Sequence, residues 1–122
     1  MTYRLLGLRS YWGLVGAESE RQPDFAAAGA GRLCSLQDER LDVYLAEQVP
    51  SLVSVELAPP HPGAVFEAEA TFPAGPLKLD DSEAGCVPTE VELPHDGVYR
   101  VSLTELPDVR GHRRFHVTIE PR

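Results

Sequence analysis

The chain has 122 residues, the length of one folding unit, and 43% hydrophobic with 25% charged residues is ordinary for a globular protein. No run of about 20 apolar residues occurs, and Met1 to Gly16 lacks a leader's apolar stretch and cleavage site, so a cytoplasmic protein without membrane contact is expected. The formal net charge of −8 disfavours nucleic acid as a partner, because binding it requires cationic side chains that neutralise phosphates.

In chain order, Tyr3 to Val15 is rich in aromatic and branched residues, interrupted by Gly7, Gly13 and Gly16. It reads as one bent strand or two short ones, since glycine inside strands marks bulges. Residues 17–37 turn to Ala, Gly, Glu and Gln, which predicts a long loop with one helical turn after Pro23-Asp24. Residues 38–48 fit either period: Leu41, Val43 and Leu45 alternate, while Leu41, Tyr44 and Leu45 would also line a helix. The branched and aromatic residues favour a strand there.

From Val53 onward the period is two. Val53, Val55 and Leu57 alternate with Ser54 and Glu56; Phe66, Ala68, Ala70 and Phe72 alternate with Glu67, Glu69 and Thr71. Leu77 and Leu79 follow, then Asp80 to Gly85 reads as a turn, and Val91 and Leu93 alternate with Glu90 and Glu92. Val98 to Leu103 and Arg114 to Glu120 close the series. Prolines are expected between these segments rather than inside them. Short strands about ten residues apart predict an all-β, single-domain antiparallel sandwich of seven to eight strands over residues 1–122.

The alternation sorts side chains onto two faces. The predicted core is Val53, Val55, Leu57, Phe66, Phe72, Leu77, Leu79, Val91, Leu93, Tyr99, Val101, Leu103, Phe115, Val117 and Ile119. Glu56, Glu67, Glu69, Glu90 and Glu92 then point outward, with Arg100, Arg114 and His116 on the last pair, close enough for the arginines to pair with glutamates. Between Asp38 and Asp96 thirteen acidic residues stand against two basic ones; from Gly97 onward five arginines stand against three acids.

The pattern contains no catalytic constellation. Asp80, Asp81 and Glu83 lack the spacing of a calcium loop and read as a solvated turn. His61, His95, His112 and His116 read as surface histidines; His112 and His116, four apart on a strand, lie about 13 Å from each other, too far to share a metal. The serines lack a glycine-flanked elbow, and no phosphate-cradling loop is present. Cys34 and Cys86 read as reduced thiols rather than as zinc ligands. Neither metal nor cofactor is expected.

Asp96-Gly97-Val98-Tyr99-Arg100-Val101, followed by Arg114-Phe115-His116-Val117-Thr118-Ile119-Glu120-Pro121, resembles the closing hairpin of small, functionally uncharacterised bacterial β-sandwich proteins. Some of these are similar to the competence-associated inhibitor of a secreted nuclease. The resemblance covers about the last 27 residues and implies a bacterial β-sandwich of interaction type, with no functional residue assigned.

The expected function is therefore non-enzymatic: a protein-binding module, of inhibitor or immunity type, whose acidic face meets a basic partner. The expected contact residues are Glu56, Glu67, Glu69, Glu90 and Glu92, with Tyr44 or Trp12 as anchor. The alternative is a small-ligand module in which residues 17–37 cover a pocket lined by Tyr11, Trp12 and Phe25.

Overall fold

Alternation becomes strand along most of the chain. The computed structural model describes residues 3–81 and 85–122, with the side chain of Arg9 left out. Eight strands and one short helix follow in order: β1 (Arg4–Val15), α1 (Phe25–Gly29), β2 (Cys34–Gln37), β3 (Arg40–Leu57), β4 (Phe66–Phe72), β5 (Gly75–Asp81), β6 (Gly85–Leu93), β7 (Gly97–Val109) and β8 (His112–Pro121). Of the ambiguous segment 38–48, residues 40–48 belong to β3 and Asp38-Glu39 form the turn that leads into it. The helical turn after Pro23 forms, with the Ala27 amide donating to Asp24 Oδ1 at 3.4 Å in the manner of an N-cap. The predicted loop is shorter than expected, since Cys34 to Gln37 form β2 against β3.

The strands make one hydrogen-bonded sheet in the order β4-β7-β8-β3-β1-β5-β6, with β2 also on β3. An antiparallel sandwich was expected; the sheet is continuous and mixed, because β3 and β8 run parallel in a register from Ser51↔Arg113 to Leu57↔Ile119. Alternation sets which face a side chain takes and is silent on the direction of the neighbouring strand. Residues from both ends of the strand order, including Phe72, Leu77, Leu93 and Tyr99, join Trp12, Leu14, Leu41 and Phe115 in one buried cluster. The sheet thus curls over itself and encloses its apolar face. Of the predicted core, Leu57 is 45% exposed and Val55 and Phe66 are only partly buried, while the other twelve are buried.

Four prolines lie inside strands, contrary to expectation, and each sits where a missing N–H does least harm. Pro50, Pro76 and Pro107 fall at register shifts of the β1–β3, β5–β6 and β7–β8 ladders, and Pro88 is on the edge strand β6. The β7–β8 hairpin closes through Arg110 and Gly111, at φ 52° and 78°. Two consecutive left-handed residues give the turn whose twist matches the strands it joins.

Candidate functional site

The five predicted glutamates lie on three strands. Glu67 and Glu69 are exposed on β4, opposite Ser102 and Arg100 of β7. Arg100 reaches both, with NH1 3.1 Å from Glu67 Oε1 and NH2 3.8 Å from Glu69 Oε1; Arg122 Nε is 3.0 Å from Glu69 Oε1. Exposed pairs of this kind contribute about 0.2–1 kcal/mol each. They also neutralise much of the acidic character expected of β4. Glu56 on β3 accepts from His116. Glu90 and Glu92 are exposed on β6 and have no cationic partner among the described residues. β4 and β6 stand at opposite ends of the strand order, so the register does not place the five carboxylates in one row.

Neither predicted aromatic anchor is available to a partner. Trp12 is wholly buried and packs its ring 5.5 Å from that of Phe115, because the β1 register turns it toward the core. Tyr44 is buried too. Its hydroxyl donates to the Asp24 carbonyl oxygen at 2.7 Å and lies 2.6 Å from Ser35 Oγ, and burial pushes its pKa up.

Between Glu56 and Glu67 runs a seam of small polar side chains. The registers align Glu56, Thr118, Ser102 and Glu67 across four strands, and Ser54, His116 and Thr104 in the row beside it. Ser102 and Thr118 hydrogen-bond hydroxyl to hydroxyl. His116 was expected at the surface; it is 1% exposed, with the ring of His61 edge-on at 5.9 Å. A carboxylate acceptor at Nε2 (Glu56 Oε1, 3.0 Å) fixes the proton there, so Nδ1 accepts from the Ser54 hydroxyl at 2.6 Å. Serine, histidine and glutamate joined in this way are the parts of a nucleophilic relay. Yet Ser54 is itself 1% exposed, so its oxygen meets no substrate and the chain of hydrogen bonds ties β3 to β8 instead. Ser54 and Glu56 sharing a face was legible in the sequence; the strand opposite them was not.

A second cluster lies where residues 17–33 cross the sheet. Arg40 Nε donates to both carboxylate oxygens of Asp42 at 2.9 Å, and its NH2 lies 2.5 Å from Asp80 Oδ2. Burial pushes the Asp42 carboxyl up against the opposing pull of Arg40. Burial would lower Arg40, but its bonds to Asp42 and Asp80 outweigh that and raise it. Gly13 makes room for this group, since a Cβ there would stand 2.6 Å from Asp42 Oδ1. Arg40 NH1 also donates to the Arg21 carbonyl oxygen at 3.3 Å, and Gln37 Nε2 to that of Gln22 at 3.1 Å. Asp80 is therefore an ion-pair partner rather than part of a solvated turn, and Glu83 lies outside the described residues.

These ties hold α1 above a cavity of about 500 Å³ lined by Tyr11, Phe25, Leu33, Tyr44, Leu45 and Arg32, among others. Of the three residues expected to line an aromatic pocket, Tyr11 and Phe25 border this cavity, while Trp12 is inside the core. A second cleft, of about 400 Å³, opens beside Tyr3, Leu5, Val53, Leu79 and Glu90. Both cysteines are free: Cys34 is buried, which pushes its thiol up to about 11, and Cys86 is exposed. No group of three His, Cys, Asp or Glu among the described residues is placed to hold a metal ion. No helix among them is long and apolar enough to cross a membrane.

No family model and no curated protein matches the chain. Two solved structures share its fold. One is ComJ from Bacillus subtilis, described as an inhibitor of the DNA-degrading activity of NucA, with a TM-score of 0.63 and 10% identity over 100% of this chain and 96% of that one. The other is described as crocagin biosynthetic gene J, with a TM-score of 0.59 and 11% identity over 99% and 95%. At these identities the likeness is one of fold along nearly the whole chain. It extends the weak resemblance of the C-terminal hairpin to a competence-associated nuclease inhibitor, without making this chain a member of a family.

Proposed function

We propose that this chain is a non-catalytic binding module whose acidic surface engages a basic protein, as an inhibitor or immunity-type protein would. The observation that carries this reading is the pair Glu90 and Glu92, exposed on edge strand β6 with no cation of their own among the described residues. Such carboxylates are open to lysine or arginine from another protein, and the net charge of −8 draws that protein in at long range. Glu56, Glu67 and Glu69 are secondary contacts, because each already has a partner within the chain. The fold likeness to ComJ supports an inhibitor role at the level of architecture, and the burial of Ser54 supports a role without catalysis. Free thiols at Cys34 and Cys86 fit a reducing, cytoplasmic setting.

The test is a pull-down from the native host with the wild-type chain and with Glu90→Lys/Glu92→Lys, at low and high salt. A basic protein held by the wild type at low salt, released as salt rises and lost by the double variant is expected. Retention by the double variant, or indifference to salt, would overturn the reading.

A further inference from the structure

The cavity beneath α1 contains none of the five glutamates, so it can have a function of its own. We propose that it binds a small planar aromatic monoanion, with the ring held between Phe25 and the sheet and the negative charge at Arg32. Its volume of about 500 Å³ falls within the range of small-molecule sites, roughly 300–1,000 Å³. The walls are fixed before any ligand arrives, because Tyr44 holds the Asp24 carbonyl and Arg40 that of Arg21. Such pre-ordering lowers the entropic cost of binding.

The chemistry of the lining selects the ligand. Phe25 opens a helix of only five residues and remains 58% exposed, with its ring edge-on to Tyr11 at 5.4 Å and 87°. A second ring sliding between Phe25 and the side chains of Leu33 and Leu45 would complete an aromatic stack and cover this apolar surface. Two guanidinium groups line the same cavity. That of Arg113 is held bidentately by Glu105, at 2.9 and 3.0 Å. Arg32 is exposed and has no carboxylate partner among the described residues, so its charge is the one left for a ligand. With the guanidinium of Arg113 taken up by Glu105, one cation in the lining remains for a ligand, and the net charge of −8 on the whole chain disfavours polyanions, so the ligand carries a single negative charge.

The experiment uses naphthalene-2-carboxylate as probe and its neutral carboxamide as control, followed by amide chemical shifts of the full chain. Saturable shifts are expected at residues 25–33 and 44–46. Arg32→Gln should weaken the carboxylate about tenfold, as loss of a charge-assisted hydrogen bond does, and leave the carboxamide unchanged. Phe25→Ser should weaken both probes. Both side chains are exposed, and an unchanged melting temperature confirms that the variants fold. The proposal is overturned if neither probe saturates at millimolar concentration, if Arg32→Gln binds the carboxylate as the wild type does, or if the shifts map to the cleft beside Glu90. None of these outcomes bears on the capture of a basic protein, so the two readings stand or fall separately.

Discussion

Cys34 and Cys86 are the same residue type in opposite surroundings. Cys34 lies inside the cluster with Leu41 and Val43, and burial holds its thiol at about 11 against an ordinary 9.0. Cys86 is exposed at the start of β6. The thiolate is the reactive form, so iodoacetamide at pH 8 should add one group to the folded chain, at Cys86, and two after denaturation, counted by mass spectrometry. The same shift links stability to pH. Because the folded value is raised above the unfolded one, the contribution of Cys34 is complete below about 9 and is lost as pH climbs toward about 11. Cys34→Ala should therefore lose less stability between pH 8.5 and 11 than the wild type does, read from urea midpoints; equal losses would place the effect on another group. At this scale the sequence was a fair guide to residue type and face. It indicated which glutamates point outward, but whether each would find a cation depended on neighbours it did not specify.

At the scale of the element, alternation alone located β4, β6, β7 and β8, because a strand with one face in the core writes its period directly into residue type. The parallel pairing of β3 with β8 left no such mark, since a period of two is the same in either direction. Nor did the prolines announce bulges, as Pro50 and Pro107 look from sequence alone like strand ends. The consequence is concentrated in one contact: Ser54 and His116, 62 residues apart, share a buried hydrogen bond that no local pattern foretells. Ser54→Ala should cost about 1–3 kcal/mol, the price of a buried acceptor left without its donor at Nδ1. Glu56→Gln keeps an oxygen acceptor for Nε2 at a half-exposed position and should cost well under 1 kcal/mol. Urea denaturation of the two variants separates them; a Ser54→Ala chain as stable as the wild type would show that the hydroxyl contributes nothing to the seam.

For the whole molecule, the decisive fact is that the last strand in sequence is an interior strand of the sheet. β8 lies between β7 and β3, and without it β4-β7 is cut from β3-β1-β5-β6. It also carries Phe115, Val117 and Ile119, each fully buried in the common core. Burial of such side chains is worth about 1.5–3 kcal/mol apiece, so the three together approach the entire stability of a domain this size, about 5–15 kcal/mol. Phe115→Ala alone should therefore be severe, at about 3–5 kcal/mol. A chain ending at Arg110 should lack a cooperative unfolding transition altogether, and adding the separate peptide of residues 112–122 should restore it, followed by far-ultraviolet dichroism. The connection from β3 to β8 is long-range and parallel, the kind of pairing that forms late, so refolding of the full chain should fall in the millisecond-to-second range. A truncated chain that still melts cooperatively would mean that the two halves of the sheet hold their cores independently, and that the closing hairpin is an addition to the fold rather than its keystone.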